Sequence, residues 1–318
     1  MTPEAYVLRH PTRDELPAVQ LVLDACESAD CGEPRRHETD IAVVVAATQI
    51  DLERGAWVVV ASDASFAGCG WLWKPLAGRS EFVAEHYVHP AFRDGAADDA
   101  LIDAIEGRVA ELHREMPGKT SLVLSSEDSD ARRRSSLLRR GYEHVRDFYS
   151  MRLDLAPGRA PARWPAGIEV RPIRPGIDAR AAHAASENAF AEHYLFGSMP
   201  FDEWRVLTLD WDDCDPSLWL LAWDGDDVAG QVWAVARHEN GPAEAAVVLD
   251  LSVRKPWRGR GLGLALLDEI FRLLGDRGCA SVRLFVDVQN ATGALRLYER
   301  AGMRQERHIM GFERPLPS

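Results

Sequence analysis

The chemistry-bearing stretch of this sequence is LDLSVRKPWRGRGLGLALL, residues 249–267, in which an apolar run leads through a glycine-rich turn into an amphipathic segment. Glycines lack a Cβ, so an anionic ligand can approach the main chain closely at this turn. The first N–H groups of a helix have no internal partner, and the helix dipole adds partial positive charge there. The turn predicts an anion site, and it contains these glycines and basic residues: Gly259, Gly261, Gly263, Arg254, Lys255, Arg258 and Arg260.

The glycine spacing excludes two other phosphate-binding motifs. It is neither the GxGxxG of dinucleotide folds nor the GxxxxGK[ST] of a P-loop. The chemistry therefore depends on the elements around the turn. Leu262, Leu266, Ile270 and Leu274 recur at i+4 spacing, which predicts a helix with one apolar face. Predicted strands surround it at 219–223, 229–235, 245–253, 281–286 and 308–313, with a short helix at 292–300, which indicates a three-layer mixed α/β arrangement.

The chain contains two copies of one pattern. Residues 57–71 resemble residues 219–233 at an offset of 162, and Arg9 lies opposite Arg171 at the same offset. Between the copies, a segment rich in proline, alanine and glycine has neither helical nor strand periodicity. We therefore expect a first domain over residues 1–155, a linker over 156–167 and a second domain over 168–318.

Two motifs resemble those of the GNAT superfamily of acyl-CoA-dependent N-acyltransferases. Arg258-x-x-Gly261-x-Gly263 is similar to the R/Q-x-x-G-x-G/A signature, and VDVQNATGALRLYERAGM, residues 286–303, is similar to the N..A..LYe..GF block. The duplicated layout further resembles the tandem, mycothiol synthase-like acetyltransferases of actinobacteria. The resemblance implies an α/β (α+β) fold with two tandem GNAT-like domains, each a mixed, mostly antiparallel central sheet flanked by helices.

The resemblance also implies roles for individual residues. Main-chain groups of Leu251 and Val253 would hold the pantetheine arm, and an N–H there would polarise the thioester carbonyl. Asn290 would contact the pantetheine or the helix start, although it lies eight residues before Tyr298 where the family usually has seven. Tyr298 would protonate the departing thiolate. The pyrophosphate would be bound by Arg258 and by the main chain of Gly259, Arg260, Gly261, Leu262 and Gly263.

The general base is missing from the positions where many family members carry it. Those positions correspond to Val247 and Leu249, which are both apolar. The amine must lose a proton before or during its attack. The base is therefore water or another side chain, and the candidates are Asp250, His193, Asp287 and Glu192. Asp250 is notable because a carboxylate within an apolar strand requires a partner or a function.

The first copy departs from the signature. In an ungapped alignment Arg93 matches Arg258, while Asp98 falls opposite Gly263 and Ala96 opposite Gly261. Leu137 falls opposite Tyr298, which removes the acid. A carboxylate at the turn that should bind the pyrophosphate would repel it. We therefore expect this copy to be catalytically inactive, to bind CoA poorly and to have a structural role. A shift of one residue would bring Gly95 nearer the cradle.

Composition limits the partners. The 318 residues include 37 Lys plus Arg and 50 Asp plus Glu, a net charge of −13, which disfavours nucleic acids and anionic membranes. Five cysteines without CxxC spacing argue against a disulfide framework. No signal peptide or membrane-length apolar run is visible, so we expect a soluble, cytoplasmic monomer or homodimer. The histidine spacing indicates no metal site.

Together these observations predict an N-acetyltransferase that uses acetyl-CoA as cosubstrate. The acceptor would be a primary amine of a small metabolite, and the acidic composition favours a cationic one. Two alternatives stay open: a non-catalytic acyl-CoA-binding or regulatory protein, and a transferase that uses another acyl-CoA.

Overall fold

The computed structural model describes residues 6–31, 41–46, 49–93, 95–116, 118–236, 245–290 and 292–317. These ranges contain the following strands: β1 (Val7–Arg9), β2 (Ala56–Val60), β3 (Phe66–Leu72), β4 (Glu81–Val88), β5 (Ser121–Glu127), β6 (Glu143–Asp154), β7 (Glu169–Pro172), β8 (Trp219–Asp224), β9 (Asp227–Ala236), β10 (Ala245–Val253), β11 (Ser281–Asp287) and β12 (Arg304–Pro315). They also contain these helices: α1 (Leu16–Cys31), α2 (Ile41–Ala46), α3 (Ala96–Glu115), α4 (Ala131–Arg139), α5 (Pro175–Phe190), α6 (Phe201–Leu207), α7 (Leu262–Asp276) and α8 (Ala294–Arg300).

The chain divides into two compact units. Unit 1 consists of Met1–Arg146 together with Ile309–Ser318, and unit 2 consists of Asp147–His308. The boundary between the units does not coincide with the linker. In each unit, the strand at one end of the sheet comes from the part of the chain on the other side of the linker. Residues 309–315 of β12 pair with β5, and residues 148–154 of β6 pair with β11. Unit 1 is therefore discontinuous in sequence.

The sheet of unit 1 has the order β1-β2-β3-β4-β5, followed by the 309–315 part of β12. Every pair is antiparallel except β4 with β5. Helix α3 covers one face, because Leu101, Ile102, Ile105 and Val109 recur at helical spacing and are fully buried. Helices α1 and α2 contribute a separate apolar cluster with the side chains of β2 and β3.

The sheet of unit 2 has the order β7-β8-β9-β10-β11, followed by the 148–154 part of β6, and only the β10–β11 pair is parallel. Helix α7 covers one face, and the four residues of its predicted apolar stripe, Leu262 to Leu274, are buried. Each contributes about 1.5–3 kcal/mol when fully buried. Helix α5 packs with alanines against Trp219 and its neighbours on another cluster. The mixed α/β fold with mostly antiparallel, helix-flanked sheets confirms the predicted class.

Strands β10 and β11 separate partway along their length. Their pairing ends at Val247 and Arg283, although β10 continues to Val253 and β11 to Asp287. On its other side β10 stays paired with β9, and the register shifts between Val248 and Asp250. Leu249 is thus an extra residue, a β-bulge that bends the strand. The bend and the separation create an opening in the sheet.

The proline-rich segment 156–167 contains no helix or strand and packs along α7. The N–H of Ala162 donates to the Glu269 carboxylate at 3.2 Å. A Cβ at Gly275 would lie 2.8 Å from the Ala156 carbonyl oxygen, so only glycine permits this approach.

None of the helices in the described ranges is long and apolar enough to cross a membrane.

Candidate functional site

The opening between β10 and β11 forms part of a cleft of about 410 Å³ in unit 2. The turn after β10, the start of α7 and one face of α8 complete its walls. Of the residues singled out from the sequence, these line the cleft: His193, Leu249, Leu251, Val253, Arg258, Gly259, Gly261, Leu262, Gly263, Asp287, Asn290 and Tyr298. Arg260, exposed on the turn, and Asp250 lie outside the lining.

The glycine turn leaves open space in front of the α7 N-terminus. Gly259 and Gly261 have φ values of +75° and +84°, in the left-handed region that favours glycine, and Gly261 is the cap residue of the helix. A Cβ built at either position would meet no atom within 4 Å. Because the first N–H groups of α7 lack intrahelical partners, they can donate to an anion that enters this space.

Gly263 is required for a different reason. A Cβ at this position would lie 3.1 Å from Cδ2 of Leu297, so its absence allows α7 and α8 to pack closely. The glycine signature thus combines left-handed backbone at two positions with helix packing at the third.

The strand edge between 248 and 253 can accept an extended ligand. Since β11 does not pair with this part of β10, main-chain groups on that edge are free of strand pairing. An extended chain can bond to such an edge as an added strand does. This is the position at which the resemblance places the pantetheine arm, along Leu251 and Val253.

Arg258 uses part of its guanidinium within the protein. Its Nε donates to the Val253 carbonyl at 2.9 Å, and its Nη2 donates to the Ala189 carbonyl in the last turn of α5 at 3.0 Å. Glu192 lies 3.8 Å from Nη1 and accepts a hydrogen bond from Lys255 at 2.6 Å. The guanidinium therefore links the end of β10 to the end of α5.

Tyr298 supplies a phenol to the cleft. It is the buried residue of α8, and its position there follows from the LYERAG sequence that ends the helix. Burial, and to a smaller extent the nearby Asp250 carboxylate, raises the pKa of Tyr298 above its ordinary value. The phenol stays protonated at neutral pH and is thus able to act as a proton donor.

Asn290 lies in the turn before α8. Its side-chain Oδ1 accepts hydrogen bonds from the N–H and the hydroxyl of Thr292, both at 2.8 Å. The residue also lines the cleft, so its location is compatible with both roles that the resemblance implied. Arg296 and Arg300, which sequence reasoning did not single out, line the cleft from α8. Their i,i+4 spacing was the available signal.

Asp250 follows the bulge and faces helix α5. Its Oδ2 accepts hydrogen bonds from the Ser186 hydroxyl at 2.8 Å and from Nε2 of Gln231 at 3.0 Å. Gln231 in turn accepts from the indole of Trp219. The other oxygen, Oδ1, is shielded from solvent and has no hydrogen-bond partner among the described residues. Burial raises the pKa of Asp250 to about 6, against the effect of the hydrogen bonds from Ser186 and Gln231.

The sequence singled out Asp250 but not its partners Ser186 and Gln231. An ionisable residue in an apolar strand signals that a polar partner exists, but nothing in the local pattern identifies it. The pairing depends on how α5 packs on the sheet, which brings together residues 64 positions apart.

The other base candidates occupy different environments. His193 lies at the cleft against the ring of Phe190, with centroids 4.6 Å apart, and burial and the Arg258 charge lower its pKa. Glu192 is exposed and paired with Lys255. Asp287 accepts the N–H of Gln289 in the turn after β11. Val247 is buried and Leu249 partly exposed, and neither has acid–base chemistry.

In the described ranges, no three His, Cys, Asp or Glu side chains are grouped as ligands for a metal ion.

The equivalent region of unit 1 corrects the ungapped alignment. Gly95, with φ of +106°, caps α3 as Gly261 caps α7. The connection from Arg93 to the helix is one residue shorter than the connection from Arg258. Asp98 is therefore the third residue of its helix and corresponds to Leu264, so placing it opposite Gly263 was wrong. The alignment of Leu137 with Tyr298 is supported by their matching hydrogen bonds, since each carbonyl accepts the N–H five residues ahead.

Comparisons with known proteins agree with this geometry. Residues 184–303 match the family model described as "Acetyltransferase (GNAT) family". The mycothiol acetyltransferase of Geodermatophilus obscurus is 30% identical over 298 residues, which cover 90% of this chain and 89% of that protein.

Solved structures show the same architecture. A GCN5-related N-acetyltransferase from Sphaerobacter thermophilus superposes with a TM-score of 0.74 at 29% identity, covering 99% of this chain and 97% of that chain. A tandem GNAT protein from the clavulanic acid biosynthesis pathway superposes with a TM-score of 0.68 at 16% identity, covering 99% and 100%, and supports the fold.

Proposed function

Since this chain belongs to the GNAT acetyltransferase family, we propose that unit 2 transfers an acetyl group from acetyl-CoA to a primary amine of a small molecule. The observation that carries the proposal is one cleft that combines an unpaired strand edge, an open helix N-terminus and a buried phenol. These features suit, in order, the pantetheine arm, the pyrophosphate and the departing thiolate.

The cleft residues bind and polarise the cosubstrate. Main-chain groups along Leu251 and Val253 would bond to the pantetheine amides, and an N–H of that edge would stabilise negative charge on the thioester oxygen. The N–H groups between Gly259 and Gly263 would bind the pyrophosphate, and the positive end of the α7 dipole adds to the attraction.

The proton balance of the transfer requires one acceptor and one donor. The amine nitrogen forms a bond to the acetyl carbon while the carbon–sulfur bond breaks, so the nitrogen loses a proton and the sulfur gains one. Asp250 is the proposed acceptor. Since neither Asp250 nor Ser186 lines the cleft, the amine proton would pass through an intervening water to Ser186 while the proton of Ser186 passes to Asp250 Oδ2, 2.8 Å away. Tyr298 is the proposed donor to the thiolate, and it recovers its proton from solvent.

Mycothiol acetyltransferase, the name of the relatives, makes the unacetylated form of mycothiol the first acceptor to test. The formal charge of −13 supports a cationic amine more generally. The absence of a base at Val247 and Leu249 favours the second candidate, a non-catalytic acyl-CoA-binding protein, and the cleft also admits the third, a transferase for another acyl-CoA.

Replacement of Tyr298 by Phe separates transfer from binding. The substitution removes the donor but keeps the ring, so we expect kcat to fall about 100-fold while the Kd of acetyl-CoA, from calorimetry, changes less than threefold. The acceptors to screen are unacetylated mycothiol, glucosamine, cysteine and spermidine. Wild-type binding without turnover of any amine would favour the binding protein instead.

A further inference from the structure

The arginine that precedes the helix turn links equivalent elements in both units, although the acceptor of its Nη atoms differs. In unit 2, Arg258 Nε donates to the carbonyl of Val253, five residues earlier, and its Nη2 reaches the end of α5. In unit 1, Arg93 Nε donates to the carbonyl of Val88, also five residues earlier, at 3.3 Å. Its two Nη atoms bond to Asp30, at the end of α1, both at 2.7 Å. Each arginine thus joins the end of a strand to the end of the unit's first helix.

Unit 1 has this arginine but lacks both the full-length turn and the tyrosine of unit 2. Its turn is one residue shorter, and Leu137 stands where unit 2 has Tyr298. Both Nη atoms of Arg93 are also bonded to the Asp30 carboxylate, so phosphate binding does not explain why Arg93 is held in this arrangement. A contact that both units make, whatever their chemistry, indicates a role in positioning the helix.

The end of α5 is the part of unit 2 that Arg258 positions. Phe190 and His193, just beyond the Ala189 carbonyl, form part of the cleft wall, and their rings are in contact. The Arg258 side chain is 29% exposed, so its bonds to the two carbonyls are partly protected from water. Glu192 and Lys255 add an exposed ion pair across the same junction.

We propose that Arg258 is a positioning residue that fixes the end of α5 as the acceptor-side wall of the cleft. Pyrophosphate binding is then left mainly to the main chain of residues 259–263. This proposal rests on the proposed function for the identity of the acceptor side. Its consequence is that loss of Arg258 weakens acceptor binding far more than binding of acetyl-CoA.

The test compares Arg258→Gln with Arg258→Lys in the full chain. For both variants we expect the acceptor KM, measured with the best amine of the panel, to rise at least tenfold, with kcat and the Kd of acetyl-CoA changing less than threefold. Lysine does not rescue, because an ammonium lacks the planar fork that spans two carbonyls. Hydrogen exchange of residues 186–193, measured without any acceptor, should accelerate at least tenfold in both variants.

The matched control is Arg93→Gln in unit 1. It should accelerate exchange at residues 24–31 and leave the acceptor KM and the Kd of acetyl-CoA unchanged. A 30-fold weaker Kd for acetyl-CoA in Arg258→Gln, restored by Arg258→Lys, would identify a phosphate ligand and overturn the proposal. Unchanged exchange at residues 186–193 would overturn it too, and that readout is independent of whether any amine is acetylated.

Discussion

Units 1 and 2 share the same strand and helix arrangement but carry chemically different side chains at three equivalent positions. In unit 2, Leu251, Leu264 and Ala294 line the cleft with apolar surface. The corresponding residues of unit 1 are His86, Asp98 and Arg133, which bond to one another. Asp98 Oδ1 lies 3.0 Å from His86 Nε2 and 3.3 Å from Arg133 Nη2. The fold thus persists when an ion-paired network replaces the surface along which a ligand would lie.

The buried network is internally neutralised. Burial raises the pKa of Asp98, but His86 and Arg133 outweigh this effect and hold the pKa below its usual range, so the residue is ionised. Burial lowers the pKa of His86, which favours a neutral ring that donates to Asp98. The Asp98 carboxylate of unit 1 is thus held by His86 and Arg133 within the protein, at the position where unit 2 has the apolar Leu264.

A second difference concerns the carboxylate that each unit places on the fourth strand of its sheet, β4 in unit 1 and β10 in unit 2. Glu85 lies opposite Trp71 and Asp250 opposite Trp233, so the two are equivalent. Glu85 accepts from Trp73 and from Tyr87, one donor on each oxygen. Asp250 has both donors on one oxygen, and Oδ1 has no partner among the described residues. The position is shared, but only in unit 2 does one oxygen of the carboxylate lack a donor among the described residues.

The largest expected effect, on acetyl-CoA binding, comes from placing a carboxylate beside the glycine turn of unit 2. We expect Gly263→Asp to weaken acetyl-CoA binding at least 1,000-fold, about 4 kcal/mol, by repulsion and by contact with Leu297. Gly263→Ala keeps the steric change without the charge and should cost about tenfold or less. Calorimetry should give one site per chain in the wild type. If Gly263→Asp still binds one acetyl-CoA per chain with unchanged affinity, the cosubstrate binds in unit 1, and the contrast drawn between the two units is wrong.

The network of unit 1 should be essential to stability and irrelevant to catalysis. Asp98→Ala removes the carboxylate that the buried His86 and the partly buried Arg133 share, so we expect a loss of about 3 kcal/mol in the free energy of unfolding, measured in urea. Asp99→Ala, a half-exposed neighbour paired with Arg140, should cost about 1 kcal/mol or less. The contribution of Asp98 is present at neutral pH and is lost only in strong acid, because its folded-state pKa lies below that of the unfolded chain. Acetyl transfer should be unchanged in both variants.

The smallest of these effects distinguishes the two carboxylates. We expect Asp250→Asn to lower kcat/KM about 100-fold at pH 7.5, about 2.7 kcal/mol. In the wild type the rate should rise with pH through about 6, as Asp250 loses its proton and becomes able to accept another. Asp250→Asn should lack this rise in rate with pH, whereas Glu85→Gln should retain it. If the rise in rate persists in Asp250→Asn, the base is another group, such as His193.

The parts of the site that are local in sequence were predictable. The i+4 stripe of α7 and the glycines of the turn each lie within one segment. The leucine of the first copy that aligns with Tyr298, Leu137, follows from comparing two short segments. The bulge at Leu249 was not predictable, because it is defined by register against β9. The one-residue shortening before Gly95 could be named from the sequence as an alternative alignment but not decided, since it is the cap positions of α3 and α7 that establish it.

Contacts distant in sequence account for what the sequence did not reveal. Asp250 was recognisable as an anomaly within an apolar strand, but its bond to Ser186 depends on tertiary packing. The arginine was recognisable from its motif, and the motif suggested a ligand contact, whereas the structure shows bonds to main-chain carbonyls. Sequence pattern identified the participants, and packing determined their partners.

The strand exchange between the two halves of the chain sets the order in which they can be completed during synthesis. Unit 1, which begins at the N-terminus, acquires its final strand only when residues 309–315 have left the ribosome. Unit 2 is complete at residue 308, so the half that starts first finishes last. A chain that stops after residue 308 would retain every residue of the proposed active site, but in unit 1 strand β5 would lose its β12 partner and present an unpaired edge prone to aggregation.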